Sequence, residues 1–227
     1  MHILQKSLIA SSLILTSVTT VWAGGIALGA TRVIYHTNEK NTVLPIINTS
    51  QDTRFLIQSW VSDANNNKLD SFIITPPLFA LAPKKENRLR IIYNGPMLPQ
   101  DRESVFYINS KAIPSVPKES LKGNTLQIAT QSVIKLFMRP QGLATRSIDA
   151  PKSLTCHVAN GKVMVKNPSP YYVTLVQFRV GNVKLKNNMV APKSTLTAAI
   201  PGKASGSVHF QTINDYGANT VEQNCTG

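Results

Sequence analysis

One run near the middle of the chain constrains its fold more than any other feature: Asn124-Thr-Leu-Gln-Ile-Ala-Thr-Gln-Ser-Val-Ile-Lys-Leu-Phe-Met-Arg-Pro140. Leu126, Ile128 and Thr130 alternate with Gln127, Ala129 and Gln131, β-branched residues are frequent, and a proline closes the run. Alternation of this kind marks a half-buried β-strand. At about 14 residues it is about twice the usual strand length. Such a strand either spans an unusually large sheet or offers part of its length to something outside its own domain.

The first 23 residues read as an export leader and not as fold. Lys6 supplies a short positive region, Leu8 to Thr16 an apolar stretch too short to cross a bilayer, and Val21-Trp22-Ala23 a small-residue cleavage site. The mature chain is then expected to start at Gly24. No later stretch approaches the ~18 consecutive apolar residues of a membrane span, and no lipid-attachment cysteine follows the cleavage site. Export also frames Cys156 and Cys225, the only two cysteines. An oxidising compartment favours pairing them, with two free buried thiols as the alternative. Their wide separation argues against a redox-active pair.

Roughly 200 mature residues suit one large β domain or two of ordinary size, and the pattern of strands favours two. Strand-like runs cover Thr42 to Ile47, Phe55 to Val61, Arg88 to Tyr93, Ser104 to Asn109 and Thr125 to Phe137. Turn-formers such as Asp63-Ala-Asn-Asn-Asn67 and Asn94-Gly-Pro96 separate them. A polar, proline-punctuated stretch from Gln141 to Lys152 reads as a linker. A second set follows: Leu154 to Val158 and Lys162 to Lys166 across an Asn160-Gly161 hairpin signal, then Tyr171 to Val180, Val183 to Leu185, Thr195 to Ile200 and Ser207 to Gln211. No stretch sustains a 3.6-residue period, so helix is minor. The expected class is all-β, with two sandwiches.

The formal charge is +13, or +12 once Lys6 leaves with the leader. The basic residues are scattered and not striped, and no nucleic-acid motif accompanies them, so acidic protein partners or simple solubility explain them better than phosphate binding. Catalysis finds little support either. His36, His157 and His209 are the histidines that outlast the leader, and none has metal-ligand spacing or a neighbouring nucleophile motif. Asp101 and Glu103 lie two apart and could share a strand face, which suits acid–base work. Ion pairs with Arg102, Arg139 or another cation suit them better.

Five strings occur together and in order: Gly29-Ala-Thr-Arg-Val-Ile-Tyr35, Thr75-Pro-Pro-Leu-Phe79, Leu98-Pro-Gln-Asp-Arg-Glu-Ser-Val-Phe-Tyr-Ile-Asn109 with Ala112-Ile-Pro114, Ile134-Lys-Leu-Phe-Met-Arg-Pro140, and Ile213-Asn-Asp-Tyr-Gly217. With them the chain resembles the periplasmic pilus chaperones of the chaperone-usher pathway, the PapD-like family, and most of all its type 1 fimbrial members. The resemblance spans nearly the whole mature chain. It implies two immunoglobulin-like β-sandwich domains with a cleft between them, over residues 24–140 and 153–227, joined by a linker at 141–152.

The resemblance also implies a function: binding, folding and capping pilus subunits by donating a strand, then handing them to an outer-membrane usher, without enzyme chemistry, cofactor, metal, nucleic acid or membrane insertion. An arginine in the first strand and a lysine in the last strand of the first domain would anchor the subunit's C-terminal carboxylate; the matching residues are Arg32 and Lys135. Two cations in a sheltered cleft hold a chain-end carboxylate through charge-assisted hydrogen bonds, and a fixed end fixes the register upstream. The donor side chains would be Leu126, Ile128 and Thr130, the last departing from the larger apolar residue common there. Lys135 has the opposite parity, so either a bulge intervenes or the lysine reaches the cleft from the other face.

Glu103, Arg139 and Asp215 match a charged network between the domains. Pro76 and Pro77 would shape a tight bend, with a cis bond as one way to make it. The short segment from Ser115 to Gly123 resembles the short-loop branch, which serves rod-forming pili. The Cys156–Cys225 pair, which several relatives lack, would staple the second domain. Two rivals stand beside this reading: a structural or adhesive sandwich within a surface fibre, which would need an N-terminal donor extension, and a secreted sandwich enzyme, which would need clustered titratable residues.

Overall fold

The computed structural model describes residues 24–116, 126–202 and 205–225. The leader at 1–23, Asn124, Thr125 and most of the 115–123 loop lie outside them. The described residues form seventeen strands and one 3-10 helix in two β-sandwiches. The all-β, two-sandwich expectation holds.

In the first sandwich one sheet has the order β1 (Ile26–Leu28), β3 (Thr42–Asn48), β7 (Glu86–Tyr93), β5 (Phe72–Thr75). The facing sheet has the order β2 (Arg32–His36), β9 (Thr130–Arg139), β8 (Ser104–Pro114), β4 (Phe55–Ser62), β6 (Leu78–Leu81). Alternation drives the packing. Leu44, Ile46, Leu89 and Ile91 of one sheet face Ile57, Val61, Ile108, Leu136 and Met138 of the other, each contributing roughly 1.5–3 kcal/mol on burial. The chain changes sheets between β1 and β2 at Gly29, where a Cβ would sit 2.9 Å from the Pro45 side chain. Arg32 therefore opens the second strand and not the first, because three residues pair with β3 before the crossing.

β2 runs parallel to β9 with Arg32 opposite Lys135. Because β9 is antiparallel to β8 in unbroken register from Ser104↔Met138 to Ala112↔Thr130, no bulge corrects the parity of Lys135. The Thr75–Pro76 peptide bond is cis. β1, β2, β5 and β6 are short or carry proline-rich borders and do not stand out in the sequence pattern, and β8 extends five residues beyond the expected end at Asn109.

The second sandwich pairs a sheet of order β10 (Thr155–Ala159), β11 (Lys162–Asn167), β15 (Ser194–Ala199) with a sheet of order β13 (Val183–Lys184), β12 (Val173–Val180), β16 (Val208–Thr212), β17 (Gln223–Cys225); β14 (Asn188–Val190) also pairs with β12. The Asn160-Gly161 hairpin is present with both residues at positive φ, the backbone that a two-residue turn between twisted strands demands. A bulge in β12 between Val176 and Arg179 accommodates Gln177 at φ 47°. Cys156 of β10 is bridged to Cys225 of β17, which ties one sheet to the other. The stretch read as a polar linker holds a 3-10 helix, Ser147–Ser153, and its Leu143 and Ala150 pack with the second core.

Each sandwich repeats one polar device at a strand end. Asn48 donates to the Thr53 and Leu81 carbonyls and accepts from the Ser50 N–H; Asn167 donates to the Tyr171 and Ala191 carbonyls and accepts from the Ser169 N–H. Both asparagines are at most 1% exposed, and their bonds satisfy loop carbonyls that burial would otherwise leave unpaired.

Candidate functional site

Strand parity sorts β9 into two faces. Leu136 and Met138 enter the first core, while Lys135 and Phe137 have the opposite parity, and Phe137 packs against Tyr172 of the second sandwich. No bulge intervenes between Thr130 and Lys135, so the two lie on opposite faces of β9. Arg32 lies beside it on β2, 9% exposed, with its guanidinium 5.5 Å from the Phe137 ring centroid. One guanidinium nitrogen donates to the Ile213 carbonyl of the second sandwich at 3.0 Å. Its buried Nε has no hydrogen-bond partner among the described residues.

Burial lowers the pKa of Arg32, opposed by the charges of Asp215 and Glu103. Burial also lowers Lys135, and the positive charge of Arg32 adds to the effect; no described carboxylate opposes it. Two partly desolvated cations side by side, one with an orphan donor, form a site that favours an anion. Next to them a cleft of ≈ 250 Å³ opens between the sandwiches, lined by Arg32, Phe137 and Arg139 on one side and Tyr171, Ile213 and Tyr216 on the other.

Behind the cations, Glu103, Arg139 and Asp215 come together. Arg139 donates from Nε to Glu103 at 2.7 Å and through its two terminal nitrogens to both Asp215 oxygens at 2.7 and 2.8 Å. Its guanidinium lies 5.1 Å from the Tyr171 ring centroid. The second Glu103 oxygen accepts the Tyr172 N–H at 2.8 Å, and Ser147 donates to Asp215 at 2.8 Å. Burial pushes Glu103 up, against the pull of Arg139 and the Tyr172 N–H. Burial would raise Asp215 as well, but the Arg139 hydrogen bonds and charge outweigh it and hold that carboxyl below its usual range. Asp101 lies outside this group and outside any strand. It is paired with Arg102 at 2.8 Å and with Lys193 of the second sandwich at 2.6 Å.

At the other end of β9 the expected long strand is shorter. It begins at Thr130, the last residue paired with β8, and Leu126 to Ala129 lie outside any strand. Leu126 is 84% and Ile128 64% exposed. Thr130 is also exposed. In sequence all three have the parity of Leu136 and Met138, and Leu126 and Ile128 stand exposed beyond the paired end of β9. The ladder stops where Pro114, which lacks an N–H, would face Ile128. There the Gln127 side chain donates to the Pro114 carbonyl at 2.6 Å, and Gln131 donates to Asn109 at 2.9 Å.

Exposed apolar residues thus lead into one end of β9, and further along the same strand Lys135 lies opposite Arg32. The model of the pili and flagellar-assembly chaperone, PapD N-terminal domain, matches residues 25–144, and that of the pili assembly chaperone PapD, C-terminal domain, matches residues 149–224. The chain belongs to the PapD-like family of pilus assembly chaperones. It is 46% identical over 98% of its length to a probable fimbrial chaperone protein, ElfD, of Escherichia coli K12, covering 97% of that relative. It is 50% identical to the probable fimbrial chaperone SfmC of the same strain, over 87% of this chain and 86% of that one. Among solved structures, the periplasmic chaperone SfaE aligns with a TM-score of 0.78 at 41% identity, over 89% of this chain and all of that one. The structure of a Salmonella enterica SafA pilin in complex with the SafB chaperone aligns with a TM-score of 0.81 at 28% identity, over 92% and 98%.

Within this chaperone fold the family resemblance marked each charged side chain that lines the cleft among the described residues: Arg32, Glu103, Arg139 and Asp215. It did not signal the Ile213 carbonyl, the Tyr172 N–H or Ser147. Backbone groups leave no trace in side-chain identity, and a serine in a polar stretch does not stand out from its neighbours.

Proposed function

We propose that this chaperone captures pilus subunits by lending them its β9 edge. The observation that carries the reading is the exposure of Leu126 and Ile128 just before the first paired residue of β9, the strand that further on carries Lys135 opposite Arg32. A subunit that lacks its last strand would receive Leu126, Ile128 and Thr130 in its open groove, each aliphatic residue contributing roughly 1.5–3 kcal/mol on burial. Strand addition would satisfy its free backbone groups. Arg32 and Lys135 would bind the subunit's terminal carboxylate and so set the register. The Glu103–Arg139–Asp215 network would hold the two domains, 24–140 and 153–227, at the angle that shapes the cleft, and the Cys156–Cys225 bridge would staple the second domain.

In this reading the leader is cleaved after Ala23, the protein works in the periplasm, and it passes subunits to an outer-membrane usher. No covalent step is involved, and release follows from strand exchange with a better-packed subunit extension, so the protein is not an enzyme. The pilin–chaperone complex among the similar structures supports the subunit as partner. The 115–123 segment, mostly outside the described residues, is short enough to assign the protein to rod-forming pili.

The test is co-expression of the tagged chain with candidate pilus subunits in a periplasm, scoring subunit recovered per chaperone. Stoichiometric recovery with the parent and collapse with folded Lys135→Ala is expected. Equal recovery with both removes the anchor, and no recovery with either returns the chain to a structural role in a fibre.

A further inference from the structure

Arg32 does not stand where its own sandwich alone would hold it. Its guanidinium is fixed by the Ile213 carbonyl, and that carbonyl belongs to a tight turn of the second sandwich. The turn is built with unusual care. An isolated bridge joins Ile213 to Asn219, the Asn214 N–H donates to the Ala218 carbonyl at 2.9 Å, and the Gly217 N–H donates to the Asn214 carbonyl at 3.0 Å. The Asn214 side-chain oxygen accepts two more N–H groups, those of Tyr216 and Ala218, each at 3.0 Å.

Gly217 closes the turn at φ +84°, and a Cβ there would lie 2.1 Å from the Thr31 hydroxyl. Thr31 is the residue before Arg32, so the turn grips the anchor from two sides: a carbonyl on its guanidinium and a bare Cα against its backbone neighbour. No side chain but glycine fits both the dihedral and the approach.

We propose that the Asn214–Gly217 turn is the positioning element of the carboxylate anchor, with Asn214 and Gly217 as positioning residues that hold the Arg32 guanidinium in place for the incoming chain end. The proposal rests on the anchor reading above. A long arginine side chain loses rotamer freedom when it binds, and a carbonyl that fixes it beforehand removes part of that cost. A merely structural role is the competing account, and the geometry separates the two. Two contacts join the sandwiches away from the turn, Lys193 with Asp101 and the Glu103 N–H donating to the Pro170 carbonyl at 2.9 Å, while Asp215, within the turn, holds Arg139 through its own carboxylate. None of these uses the Asn214 side chain or Gly217.

The experiment measures binding of two synthetic peptides of alternating apolar residues, identical except that one ends in a free α-carboxylate and the other in an amide. The proteins are the mature chain and its Arg32→Ala, Asn214→Ala, Asn214→Asp and Gly217→Ala variants. The parent is expected to favour the free acid about tenfold or more, the worth of a charge-assisted bond, and Arg32→Ala to lose that preference. Asn214→Ala and Gly217→Ala lose most of it while binding the amide as the parent does. Asn214→Asp keeps the accepting oxygen and restores it.

Weakening of both peptides alike in the turn variants, or an intact preference in Asn214→Ala, overturns the proposal while leaving the anchor standing. A preference that survives Arg32→Ala, or a parent that binds neither peptide, removes the anchor and the proposal together. Asn214→Ala introduces no clash, so the test holds even where Gly217→Ala does not fold.

Discussion

Replacing Arg139 by methionine isolates the energetics of the charged network. The Arg139 side chain is 12% exposed and Glu103 2%, so the substitution leaves a desolvated carboxylate with only the Tyr172 N–H for a partner. Removing one member of a buried ion pair costs about 3–5 kcal/mol. Asp215 softens the loss on its side, because it is 32% exposed and keeps the Ser147 hydroxyl; the expected total is therefore near the lower bound, about 3 kcal/mol. The added Glu103→Gln change removes the stranded charge and recovers most of it.

The sign with pH follows from Glu103. Burial already raises its pKa, and losing Arg139 raises it further. The penalty is present above that folded pKa and is relieved as pH falls through it toward the unfolded value of 4.5. Urea unfolding followed by the fluorescence of Trp60, the tryptophan of β4, reads this in the first sandwich at pH 5 and pH 8. A loss below about 1 kcal/mol, the range of an exposed pair, or a loss identical at both pH values refutes the argument.

Ile128→Ser separates folding from binding: at 64% exposure it shifts unfolding by no more than about 0.5 kcal/mol, yet co-expressed subunit recovery falls sharply; a stability loss equal to that of a core substitution would contradict the assignment. For Lys135, burial and Arg32 place its pKa below the ordinary 10.5. A bound carboxylate favours the charged lysine, so affinity for a free-acid peptide falls as pH rises through that lowered pKa, and Lys135→Met flattens the profile; an unchanged slope in the variant counts against lysine as an anchor.

Much of the fold was legible because its cause is local. Alternation along Thr42 to Ile47 and Arg88 to Tyr93 announced strands whose one face is a core, and Asn160-Gly161 announced a turn that requires positive φ. The short strands β1, β5 and β17 were not legible, since three or four residues carry too little period to read and exist only because a neighbouring strand offers its hydrogen bonds. The long run around Leu126 shows the limit from the other side. Its pattern is that of one continuous strand, but pairing stops at Thr130 because Pro114 in the partner strand has no N–H to continue the ladder.

The candidate site divides along the same line. By itself the sequence determined which side chains carry charge and apolar area, and the strings it shares with the pilus chaperones are what marked Arg32, Lys135, Glu103, Arg139, Asp215, Leu126 and Ile128 among them. Tertiary structure alone decided that β9 runs without a bulge from Thr130 to Arg139, that Arg32 belongs to the strand after the sheet crossing, and that the Ile213 carbonyl of a distant turn accepts a hydrogen bond from it while Gly217 of that turn packs on Thr31. Side-chain chemistry is written residue by residue. The backbone carbonyls, N–H groups and close approaches that aim it arise only when strands far apart in the chain are brought side by side.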